Sequence, residues 1–100
     1  MPERSVLIVE DDIDFAGTLV MALELHDHKA SVAHNGLDAI QLVNEKDFDV
    51  CFLDIKMPGM TGLELLRDIR ETSPETLVVI MTAESSMENA VEAMKSGAYD

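Results

Sequence analysis

Three short apolar runs constrain this chain most: SVLIV at Ser5–Val9, DVCFL at 49–53 and TLVVIM at 76–81. The first and third are rich in β-branched residues, and all three are too short for a buried helix and apolar without alternation. That pattern predicts strands buried on both faces of a parallel sheet. The segments between them repeat apolar residues at helical spacing. In DFAGTLVMALELH, Phe15, Leu19 and Leu23 fall on one stripe. KASVA at Lys29–Ala33 is a weaker strand, and Asn35 is placed to cap the helix GLDAIQLVNEK. Thr61 with Glu64 forms a capping box ahead of LELLRDIRE, and SPE ends that helix. Ser85 with Glu88 opens MENAVEAMKS, and Gly97 stops it. The order β-α-β-α-β-α-β-α predicts an α/β fold built of right-handed βαβ units.

Length and charge bound the function. One hundred residues predict a single domain, 1–100, without repeats or linkers. Twenty acidic residues against 7 basic ones give a net charge of −13. Such a surface repels phosphate backbones, so this segment is not expected to bind nucleic acid directly; it suits a basic partner or a metal ion. No apolar stretch approaches a membrane span, and the first residues do not read as a secretory signal. A lone cysteine, Cys51, forms no internal disulfide and reads as a small buried hydrophobe. A reducing, cytoplasmic setting is therefore expected.

The polar residues that end the apolar runs carry the chemistry. Glu10, Asp11 and Asp12 follow the first, Asp54 follows the second, and Thr82 follows the third. In a parallel sheet these positions share the carboxyl edge, where doubly wound folds bind ligands. If the first and third strands are neighbours, Glu10 and Asp11 face Asp54. Carboxylates so gathered require either a proton or a cation. No His or Cys lies in these strand ends, so the donors are hard oxygens, which favour Mg²⁺ or Mn²⁺. A hydroxyl beside that pocket suits a phosphoryl group. Each residue also has a plainer role: EDDID as an acid-rich helix start, Asp54 as a turn residue, Thr82 as a structural hydroxyl. DIDFAG at 12–17 echoes a calcium loop, but Ala16 and Leu23 occupy positions that need ligands. No Gly-rich loop with lysine is present to cradle a nucleotide. His26, His28 and His34 read as solvated loop residues.

The stretches VLIVEDD, FLDIKMPGMTGLELL, VVIMTAE and AVEAMKSGAYD together resemble the receiver domains of two-component response regulators. The resemblance covers the whole chain, and its centre is Asp54-x-x-Met57-Pro58-Gly59-x-x-Gly62. ENAVEAMKSGAYD is most similar to receivers of alternative-sigma-factor activators of the nitrogen-regulator type. The resemblance implies a flavodoxin-like doubly wound sheet of order 2-1-3-4. It implies that Asp54 accepts a phosphoryl group from a sensor histidine kinase or phosphotransfer protein. Asp11 would ligate Mg²⁺ directly and Glu10 mainly through water, with Asp54 and the main-chain carbonyl of Lys56 as further ligands; Asp12 has no role in this scheme. Thr82 would bond the phosphoryl oxygen, and Ala83 would leave room for its approach. An output domain would normally follow.

The resemblance also sets expectations for the carboxyl end. The family's phosphate-pairing lysine, switch aromatic, fifth strand and fifth helix belong past Asp100, and Tyr99 does not take the aromatic's place. The chain is therefore expected to be an incomplete receiver, slow to be phosphorylated, with a strand edge open to self-association. Two other readings remain: a phosphate-independent interaction module, and a Mg²⁺-dependent aspartate-nucleophile phosphotransferase. The second usually has another aspartate two places after the nucleophile, where this chain has Lys56.

Overall fold

The computed structural model describes residues 4–54 and 62–81. Along the chain run β1 (Ser5–Val9), α1 (Ile13–Leu25), β2 (Lys29–Ala33), α2 (Gly36–Glu45), β3 (Val50–Asp54), α3 (Gly62–Thr72) and β4 (Leu77–Met81). The strands form one 4-stranded sheet in the order β2-β1-β3-β4. Every pairing is parallel, with Val9 opposite both Ala33 and Leu53, and Asp54 opposite Met81. The expected order 2-1-3-4 is thus present. The helix expected after Thr82, and Thr61 of the α3 capping box, lie outside the described residues.

The strands are apolar without alternation because helices cover both faces. Leu7, Val9, Cys51, Leu53 and Val78 point to one face and pack with Ala39 and Val43 of α2 and Leu65, Leu66 and Ile69 of α3. Val6 and Ile8 point to the other and pack with Ala16, Leu19, Val20 and Leu23 of α1. β1 lies between two strands and under both helical layers, so Leu7, Ile8 and Val9 are fully buried. Each such side chain contributes about 1.5–3 kcal/mol by leaving water.

Local chemistry sets the element ends. Asp12 precedes α1 in an extended conformation and accepts from the Phe15 amide at 3.0 Å. Asn35 does the same for α2, accepting from Asp38 at 2.8 Å. α1 closes on Asp27 at φ 64°, a left-handed geometry that aspartate tolerates better than most residues, while the His28 amide bonds Leu23 O at 3.0 Å.

Two details differ from the sequence expectation. Phe15 is 45% exposed, and Ala16 takes the inward place ahead of Leu19 and Leu23. With about 3.6 residues per turn, a strict four-residue step drifts around the helix, so the buried stripe runs through Ala16, Leu19, Val20 and Leu23. β4 begins at Leu77, not Thr76. Thr76 is a buried turn residue whose hydroxyl bonds Phe48 O and Ser73 Oγ, both at 2.7 Å. β3 is shifted by one residue in the same way. Asp49 stands before it, its amide donating to Ser5 O at 2.8 Å and its carboxylate accepting the Ser5 amide at 2.9 Å. Among the described residues, no helix is long and apolar enough to cross a membrane.

Candidate functional site: an acidic pocket at the carboxyl edge

β1 and β3 are direct neighbours, in register so that Val9 faces Leu53. The next residue of each is therefore brought to the same point on the carboxyl edge. Glu10 follows β1, and Asp54 ends β3. Beyond Glu10 the chain turns toward α1 and brings Asp11 alongside. One carboxylate oxygen from each of Glu10, Asp11 and Asp54 lies within 4.8 Å of the others. Glu10 is buried, Asp54 half-buried and Asp11 exposed, so the pocket opens to solvent on the Asp11 side.

The electrostatic cost of this arrangement falls on Glu10. Its carboxyl is pushed up from 4.5 to about 7. Burial is the largest cause, the adjoining carboxyls of Asp54 and Asp11 add to it, and a bond from the Asp12 amide to Oε2 at 3.2 Å opposes it. With no cation between the acids, Glu10 thus keeps its proton to higher pH than a solvated glutamate does. All three donors are carboxylate oxygens that can converge on one point, with no soft ligand among them. That set fits a small hard divalent cation and does not suit zinc or copper.

The residues singled out by sequence divide three ways. Glu10, Asp11 and Asp54 are brought together. Asp12, without a part in the expected pocket, is the N-cap of α1, so the three successive acids from Glu10 to Asp12 serve both the helix start and the acidic pocket. Lys56, Thr82 and Ala83 lie outside the described residues. Sequence reasoning missed His34. It is exposed, as expected, but its Nδ1 lies 3.0 Å from the main-chain oxygen of Glu10. His28 is engaged differently, accepting from the Arg4 amide at 3.2 Å. Cys51 is fully buried, and burial pushes its thiol up to about 12, which makes it inert packing.

A family model described as "Response regulator receiver domain" matches residues 6–100. The transcriptional regulatory protein ZraR of Klebsiella oxytoca is 44% identical over 95 residues, covering 95% of this chain and 21% of that protein. The chain thus spans about a fifth of that curated relative. Among solved structures, a Burkholderia pseudomallei response regulator with a phosphorylated aspartic acid, calcium ion and citrate superposes with a TM-score of 0.92 at 29% identity. The match covers 96% of this chain and 56% of that one. NtrX from Brucella abortus in complex with ADP gives a TM-score of 0.88 at 30% identity, covering 99% of this chain and 22% of that one. ZraR is a regulator of the nitrogen-regulator type, in line with the resemblance of ENAVEAMKSGAYD.

Proposed function

This chain belongs to the response regulator receiver domain family, and we propose that Asp54 is the residue that accepts the phosphoryl group. The observation that carries the reading is the convergence of Glu10 and Asp11 on Asp54 at the end of β3. A carboxylate is a weak nucleophile, so positioning and charge neutralisation supply most of the catalysis. An Asp54 carboxylate oxygen attacks the phosphorus of a phosphohistidine as the bond from phosphorus to the imidazole nitrogen breaks. The product is an aspartyl phosphate, and the electron pair of the broken bond returns to the donor's ring.

Three acids repel an incoming phosphoryl group. Asp11, Asp54 and the main-chain carbonyl of Lys56 would hold Mg²⁺, with Glu10 mainly through water, and the ion would supply the compensating positive charge. For Glu10 to join such a set it must release the proton that burial favours. In this proposal the Thr82 hydroxyl donates to a phosphoryl oxygen, and Ala83 leaves space for it. The phosphoryl group adds a charge of about −1.5 to −2 and three acceptors. That change biases the segment after β4, which passes the signal to an output domain. The donor is a sensor histidine kinase or a phosphotransfer protein, and the setting is the cytoplasm. The chain acts as a phospho-acceptor with autocatalytic transfer, not as an enzyme that turns over substrate.

Mass measurement after incubation with acetyl phosphate and Mg²⁺ tests this. It is run on this chain and on one extended at its carboxyl end through the family's lysine. Gain of one HPO₃ group, lost in Asp54→Ala, is the expected result. Continuous phosphate release without an adduct indicates a phosphotransferase instead. Neither adduct nor release, even in the extended chain, indicates a phosphate-independent module.

A further inference from the structure

The β1–β2 ladder does not stop where the two strands end. Val9 pairs with Ala33 as the last register step. The Glu10 amide then donates to Ala33 O at 3.0 Å. The next bond in that direction comes from a side chain: His34 Nδ1 lies 3.0 Å from the Glu10 carbonyl oxygen. A carbonyl oxygen only accepts, so Nδ1 carries the hydrogen. The imidazole therefore stands in for a main-chain amide at the point where β1 hands over to the turn.

That carbonyl belongs to the planar peptide unit whose nitrogen is Asp11's. Holding its oxygen fixes the orientation of the unit, and with it the direction in which the chain presents Asp11. Glu10 is already held through its own amide and through the Asp12 amide on Oε2. Asp11 is the exposed member of the trio; its side chain bonds that of Glu10, and its approach depends on how the main chain presents it. We propose that His34 is a positioning residue for the acidic pocket, pinning the Glu10–Asp11 peptide so that Asp11 meets Glu10 and Asp54 in a cation-binding arrangement. This rests on reading the pocket as a cation site, and it adds a residue from the end of β2 to a site otherwise built from β1 and β3.

The test uses this chain with His34→Ala, His34→Asn, His34→Gln and, as a control, Asp11→Asn. Asparagine places an amide N–H at the same number of bonds from Cα as Nδ1; glutamine places it one bond further. Mn²⁺ affinity is read from the paramagnetic resonance of the free ion. Loss of one positioning hydrogen bond predicts roughly threefold to tenfold weaker binding in His34→Ala and His34→Gln. His34→Asn returns to within about twofold of wild type. Thermal midpoints without cation stay level across the His34 series, since the bond lies at an exposed strand end. Equal affinity in wild type and His34→Ala overturns the proposal, and so does a loss that asparagine fails to restore. A second readout separates it from the cation reading: in cation-free ¹⁵N–¹H spectra, His34→Ala shifts the Asp11 amide and His34→Asn restores it. If wild type binds no Mn²⁺ but the Asp11 amide shifts in this pattern, the pinning stands and the cation reading fails. If the Asp11 amide does not move, the pinning is overturned.

Discussion

Glu10 is 6% exposed and sits against two other carboxyls, so folding changes how readily it holds its proton. Its folded-state value, about 7, lies above the unfolded 4.5. Between those values the unfolded chain releases a proton that the folded chain keeps. Glu10's contribution to stability is therefore full below about pH 4.5 and is lost as pH rises through 7. In EDTA, Glu10→Gln is expected to flatten a downward trend in stability across that window, read from urea unfolding at a series of pH values. A bound divalent cation reverses the preference, because it requires the carboxylate. Stabilisation by Mg²⁺ is thus expected to be larger at pH 8 than at pH 5.5. Binding near pH 6.5 should release a proton, visible in calorimetry as a dependence of the heat on the buffer's ionisation enthalpy. A heat independent of the buffer would remove Glu10 from the ligand set.

The elements owe their boundaries to short polar side chains. Asn35→Ala is expected to cost about 1 kcal/mol by leaving the first turn of α2 uncapped, while Asn35→Ser retains most of that stability. Asp12→Ala should cost a similar amount through α1. Asp12→Asn preserves the cap and should leave Mn²⁺ affinity within about twofold of wild type, since Asp12 lies outside the acidic trio. A large loss of affinity in Asp12→Asn would place it in the pocket after all. The Asn35 cap was legible because a cap is a local event: Asn35 and its acceptor bond to Asp38 lie within one turn. The inward face of α1 was less so. Phe15 and Ala16 both fit the helical spacing, and only the sheet beneath decides which one is covered. Thr76 reads as strand by its β-branched side chain, yet its hydroxyl is committed to Phe48 O, a partner 28 residues away.

For the whole molecule, the balance lies between an apolar core on the sheet and a surface of net negative charge. Leu66 is fully buried between α3 and the sheet, whereas Leu37 is 80% exposed. Leu66→Ala is expected to cost about 2–5 kcal/mol in denaturant unfolding, and Leu37→Ala less than about 0.5 kcal/mol. With a net charge of −13, the folded state bears self-repulsion that salt screens. In the absence of divalent cations, raising NaCl from about 10 mM to about 0.5 M should therefore raise the thermal midpoint. A midpoint indifferent to salt would mean that the acids are already neutralised by local partners.

Strand runs, helix periods, caps and the gathering of acids after the apolar runs are properties of neighbouring residues, and the sequence by itself determined them. The motif around Asp54 was legible for the same reason. What only the tertiary structure decided were relations between distant segments. The adjacency of β1 and β3 converts separate acids into one pocket. The burial of Glu10 sets the cost of its charge. The bond from His34 reaches a carbonyl 24 residues away. Hydrogen bonding and desolvation depend on distance in space, and chain order fixes that distance only within a turn or two.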